Sequence, residues 1–201
     1  MRPQDGAQVR VIHNGINADP IAPGHSQDRF TLLAVGRLDA IKGFDQLIRA
    51  VADLDFPFRL HIVGEGPERA KLEKAIWALN LEDSVFMDGF REDIPQMMAD
   101  SHLVVISSHR EGCPMVLLES LFYAPVLIST PAGIIPEVLP PELQCDLAGL
   151  HAKITDVHLN YDRYRRLFAQ VADQRKEDFS LPVIAGKYLA LYEEIFTLSR
   201  R

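Results

Sequence analysis

What most constrains this chain is an alternation. Short β-branched apolar runs, "VRVIHNG" (9–15), "TLLAVG" (31–36), "FRLHIVG" (58–64), "SVFMDG" (84–89), "LVVISS" (103–108) and "PVLIST" (125–130), are separated by stretches of helical period. That pattern builds βαβ units, in which each crossover returns the chain parallel to its predecessor and covers one face of the sheet. The expected fold class is α/β: a parallel sheet of about six strands with helices on both faces. At 201 residues and 47% hydrophobic, the chain suffices for one such core. We read residues 1–201 as one domain, with 141–201 a mainly helical tail.

Between the strands, "GFDQLIRAVADL" sets Phe44, Leu47, Ile48 and Val51 on one helical face. "DIPQMMADS" reads as a short helix capped by Asp93. Beyond about residue 140 the alternation stops, and two helices are expected, the last with Tyr188, Leu191, Tyr192 and Ile195 at core spacing. Four of the six strands end in glycine, Gly36 and Gly64 among them. Glycine there permits a sharp turn and close ligand approach, at the edge where open α/β sheets bind.

Composition excludes several functions. A net charge of −7, with no basic cluster before Arg200 and Arg201, argues against nucleic acid as a partner. Cys113 and Cys145 form no CxxC pair, and neither they nor the histidines show a metal-binding spacing, so no metal is expected. The opening "MRPQDGAQVR" has no signal-peptide core and no apolar run reaches membrane-spanning length, so a cytoplasmic protein is expected, with peripheral contact at the inner face of a membrane left open.

The segment "HREGCPMVLLES" carries Glu111 and Glu119 around an apolar run. Pro114 suits a first helical turn, so a helix should run from about Pro114 through Leu121. The unpaired amides of Met115, Val116 and Leu117, with the positive end of the helix dipole, then form an anion site beyond "LVVISS". Gly112 allows close approach, and the two carboxylates can accept hydroxyl hydrogen bonds. Across the same sheet edge, "GRLDAIKGF" offers Arg37 and Lys42, two cations able to clamp a diphosphate. Taken separately, each set is compatible with solvated surface residues; together they describe a site for a diphosphate flanked by polyols, the layout of a nucleotide sugar.

"VGRLDAIKGFDQLIRA", "IVGEGPERAKLE", "GFREDIPQMMADSHLVVISSHREGCPMVLLES" and "PVLISTPAGIIPEVL" resemble the donor-binding, C-terminal half of GT-B-fold retaining glycosyltransferases of the group 1 (family 4) type. The resemblance implies a Rossmann-like domain that binds a nucleotide sugar, with UDP-sugars the expected donors, no metal and no further cofactor. It implies that Arg37 and Lys42 bind the donor diphosphate and that Glu111, the third catalytic residue, contacts sugar hydroxyls. Glu119 would hold the ribose diol. Gly112, Cys113, Pro114, Met115, Val116 and Leu117 would meet phosphate and sugar through their backbone, Phe90 and Arg91 would frame the base, and Gly36 and Gly64 would lie beside the donor. The acceptor implied is a glycan or lipid-linked saccharide, as in lipopolysaccharide, capsule or exopolysaccharide synthesis. An N-terminal GT-B domain, supplied in cis or trans, would bind it, leaving the isolated chain catalytically incomplete. Two departures stand out. "ESLFYAPVLIS" is shorter and bulkier than the family helix-to-strand turn, and Gly133-Ile134 replaces a Gly-Gly, which should narrow that loop.

Other motifs mislead. "VGEGPER" has Arg69 in place of a third dinucleotide-fingerprint glycine. Ser107 and Ser108 sit in no nucleophile elbow. His109 reads as a loop residue rather than a base. The alternative to an enzyme is a non-catalytic nucleotide-sugar-binding subunit that completes a separate acceptor domain.

Overall fold

A computed structural model describes residues 9–22, 24 and 28–198. The opening residues of the chain and its terminal basic pair lie outside the described residues. The sheet contains β1 (Phe30–Val35), β2 (Phe58–Val63), β3 (Val85–Gly89), β4 (Leu103–Ile106) and β5 (Leu127–Ser129), all parallel, in the order β3-β2-β1-β4-β5. It is the expected Rossmann-like arrangement, with five strands rather than six.

The missing strand is 9–15. Val9 and Val11 are 70% and 74% exposed, and the segment meets the fold through side chains, Arg10 on Glu194 and Asn14 on the Cys113 carbonyl, before the Ile16 N–H donates to the Phe179 carbonyl at 2.9 Å. A β-branched run becomes a strand only when a neighbour accepts its backbone hydrogen bonds, and the edge strands β3 and β5 do not pair with it.

Helix α1 (Phe44–Ala52) buries Phe44, Leu47, Ile48 and Val51 as its spacing predicts, and α2 (Arg69–Ala78) buries Leu72 and Ile76. Helix α3 (Ile94–Asp100) begins after Asp93, but that carboxylate makes no cap. It is held instead by the Arg91 guanidinium through bonds of 2.8 and 2.5 Å. Helix α4 (Met115–Tyr123) follows β4, and the short α5 (Ile135–Val138) follows β5.

The later helices divide in two groups. From α6 (Leu150–Leu159) and α7 (Tyr161–Arg175), Leu150, Ile154, Val157, Tyr164, Phe168 and Val171 enter the core that surrounds the sheet. Helix α8 (Leu181–Leu198) buries Ile184 near its start, while Tyr188, Tyr192 and Ile195, expected in a core, are 42%, 62% and 53% exposed. The apolar stripe is real. Past the first turns, no described element covers it.

Candidate functional site: a crevice at the switch point of the sheet

Strand order reverses between β1 and β4. The chain leaving β1 runs toward β2 on one side, and the chain leaving β4 runs toward β5 on the other, so a crevice opens beyond the carboxyl ends of these two strands. The loops that flank it are 36–43 and 107–114, and they carry Lys42 and Glu111.

These two residues, 69 positions apart in sequence, meet. The Lys42 Nζ donates to Glu111 Oε1 at 2.7 Å, with side chains 23% and 10% exposed. The Ser108 hydroxyl donates to the same oxygen at 2.6 Å. Short charge-assisted bonds of this kind are roughly twice as strong as neutral ones.

The walls are built to hold the pair. Asp39 Oδ1 accepts from the Ile41 N–H at 3.1 Å, starting a single 3-10 turn, Ala40–Lys42, that delivers the lysine. Gly43 then turns left-handed at φ +63, so close to β4 that a Cβ there would lie 2.1 Å from the Ser107 carbonyl oxygen. The Ser107 hydroxyl donates to the Lys42 carbonyl at 2.9 Å, and the His109 N–H donates to the Ile41 carbonyl at 2.8 Å. The loop after β1 is thus stitched to the end of β4. His109 itself is exposed, as a loop residue would be.

On the other wall, Pro114 adopts φ −70 and ψ 133 as the residue before α4. The helix therefore starts at Met115 rather than Pro114 and runs past Leu121 to Tyr123. The Leu117 N–H turns back to the Pro114 carbonyl at 3.1 Å. The expected set of three helix amides accordingly narrows to Met115 and Val116, whose N–H groups have no carbonyl four residues back within the helix. The loop before them is pinned: the Asn14 amide donates to the Cys113 carbonyl at 3.1 Å, and the Ile134 N–H to the Gly112 carbonyl at 2.9 Å. A Cβ on Gly112 would meet nothing within 4 Å, so its open side is free for close approach. Ile134, expected to narrow this loop, is 5% exposed and packs into the core instead.

Glu119 lies inside α4, half-buried, and burial pushes its carboxyl above the usual carboxylate range. Burial likewise pushes the Cys113 thiol up, against a smaller opposing effect of its contact with Asn14. Arg37 is exposed at the mouth of the β1 loop and makes no ion pair among the described residues. Gly36 lies against the Lys42 stem, and a Cβ on Gly64 would strike the Gly36 carbonyl oxygen at 2.0 Å, so Gly64 serves close packing of the two strand-end loops. Phe90 is 74% exposed and Arg91 is paired with Asp93, both beyond the edge strand β3 and joined by no described contact to the Lys42–Glu111 pair. Ser107, Ser108, Thr130 and Asn14 were not among the expected site residues. Hydroxyls at the end of a central strand beside a switch point are the signal that could have found the serines.

A five-stranded parallel sheet with flanking helices defines a Rossmann-like domain, and at its switch point stand a cation, a carboxylate and the first amides of α4. The profile of the family described as "Glycosyl transferases group 1" matches residues 16–167, and the chain belongs to that family. It is 30% identical over 197 residues to the lipopolysaccharide core biosynthesis glycosyltransferase LpsD of Rhizobium meliloti, covering 92% of this chain and 57% of that protein. Its fold is similar to that of Anabaena Alr3699/HepE in complex with UDP, at TM-score 0.78 and 22% identity, covering 83% of this chain and 49% of that one. It is also similar to the C-terminal domain of the glycosyl transferase group 1 family protein LpcC from Francisella tularensis, at TM-score 0.66 and 21% identity, covering 79% and 88%. The chain spans about half the length of the curated relatives it matches. Among the described residues, no helix is long and apolar enough to cross a membrane.

Proposed function

We propose that this chain is the donor-binding, C-terminal domain of a retaining, family 4 type glycosyltransferase. It holds a nucleoside diphosphate sugar, a UDP-sugar in the first instance, in the crevice between β1 and β4. The observation that carries the reading is the Lys42–Glu111 pair at the switch point, beside the open amides of α4. As the glycosidic bond breaks, negative charge grows on the diphosphate; Lys42, Arg37 and the amides of Met115 and Val116 stabilise it, so the cationic work is assigned to side chains rather than to a metal. Glu111 accepts from sugar hydroxyls and Glu119 from the ribose diol, while Phe90 and Arg91 take the base side. Gly112 and Cys113 line the phosphate and sugar.

The acceptor is a glycan or lipid-linked saccharide, a choice supported by the similarity to LpsD. A companion N-terminal domain, in cis or trans, binds it. Two observations support that domain: the chain's span of about half its relatives, and the uncovered face of α8, where His13, Asn14, Ile184 and Tyr188 line a hollow of about 510 Å3. In this reading the protein is cytoplasmic and any membrane contact is peripheral. The same observations favour a second reading, a binding subunit without transferase activity of its own.

The test incubates the chain with UDP-sugars and saccharide acceptors, alone and with a candidate N-terminal half. Transfer only in the presence of the second half is expected. Binding without transfer under either condition selects the binding subunit, and no binding of any nucleotide sugar overturns both readings.

A further inference from the structure

Glu111 Oε1 receives two donors, Lys42 Nζ at 2.7 Å and Ser108 Oγ at 2.6 Å. A carboxylate oxygen has two lone pairs. Oε1 is therefore saturated, and Oε2 is the oxygen left to face the crevice. The orientation of the carboxylate, and with it the oxygen offered to a ligand, depends on the second donor, because Lys42 alone is a flexible stem with a point charge.

Ser108 is itself fixed. It is 3% exposed, and the Thr130 hydroxyl from the end of β5 donates to its carbonyl at 2.6 Å, while the Thr130 N–H donates to the Ile106 carbonyl at 2.9 Å. Neighbouring Ser107, 1% exposed, holds the backbone of Lys42. Three hydroxyl residues at the ends of β4 and β5 thus fix both members of the ion pair, and in the structure none of the three opens to solvent.

We propose that Ser108 is a positioning residue for donor binding, which locks Glu111 Oε1 against Lys42 so that Oε2 alone accepts from the sugar. The inference rests on the nucleotide-sugar reading above. It predicts that the serine acts through Glu111 and not beside it.

The experiment measures affinity for UDP-glucose by calorimetry in the wild type, Ser108→Ala, Glu111→Ala and the double variant. Losing a hydrogen bond to a charged group weakens binding about tenfold, so Ser108→Ala should show that loss, and the double variant should bind no worse than Glu111→Ala. Unchanged affinity in Ser108→Ala, or losses that add in full, overturn the proposal. Should Ser108→Ala not fold, Ser108→Cys replaces the hydroxyl with a weaker donor and carries the same comparison.

A second readout needs no ligand. Nitrogen-15 NMR of the Lys42 ammonium should give a protected signal in the wild type that is lost in Ser108→Ala. If the wild type binds no nucleotide sugar, the functional reading fails and this signal alone decides: its loss supports the positioning role, and its persistence overturns it.

Discussion

Replacing Lys42 by methionine deletes the ammonium while keeping most of the apolar stem that packs beside Gly36. Glu111, 10% exposed in its side chain, then keeps a single described donor, Ser108. Stranding a mostly buried polar group costs about 1–3 kcal/mol, more when the group is charged; Lys42 is 23% exposed, so water recovers part of this, and about 2 kcal/mol is the working figure. For a chain near 200 residues each kcal/mol moves Tm by about 2–4 °C, so Lys42→Met should melt about 4–8 °C below the wild type at pH 7. The asymmetry of hydrogen-bond energetics makes the second half of the test sharper. Removing the stranded charge as well lifts most of that cost, and Lys42→Met/Glu111→Gln should recover most of the lost Tm. Under the proposed function the single variant also binds nucleoside diphosphate about tenfold to a hundredfold more weakly. Differential scanning calorimetry with titration calorimetry checks all three. A single variant that melts with the wild type, or a double variant that melts as low as the single one, would refute the reasoning.

Glu119→Gln should raise stability at neutral pH and weaken donor binding: burial lifts the folded carboxyl above its ordinary 4.5, so wild-type stability falls as pH rises from there through the raised value, a dependence the variant lacks in thermal melts. His102 is held below its ordinary 6.5 by burial and then by His158, and its Nδ1 accepts from the Thr31 N–H at 3.1 Å. The neutral ring is the folded form, so stability present above pH 6.5 should be lost as pH falls below it, and a His102→Asn variant compared at pH 7.5 and 5.5 should lose less. Gly133→Ala forces a side chain into φ +59 and within 2.3 Å of the Gly112 carbonyl oxygen, so chemical denaturation should show a loss of about 1–3 kcal/mol; an unchanged midpoint would contradict the strain.

Much of this architecture was legible because period follows environment. The strands buried on both faces read as continuous apolar runs, and α1 declared its inward stripe at Phe44, Leu47, Ile48 and Val51. The run at 9–15 misled because β propensity says nothing about whether a partner strand exists. The stripe on α8 was legible as a stripe and no further: spacing at Tyr188, Tyr192 and Ile195 marks a face to be covered, in this fold's core or by a companion domain, without saying which. At the site, Lys42 and Glu111 were readable as residue types placed on strand-end loops. Their hydrogen bond, and the roles of Ser107, Ser108 and Thr130, depend on β1, β4 and β5 being neighbours, a long-range order that no local pattern encodes. Asn14 is farther still, 99 residues from the carbonyl it holds.

Backbone amide NMR mapping with UDP-glucose tests the central claim most directly. The account predicts shifts concentrated at 36–43 and 111–119, while Phe30, Phe56, His102 and His158, whose rings pack together where β1 and β4 begin, stay unmoved. Shifts confined to the hollow beside α8, or none at millimolar ligand, would contradict it.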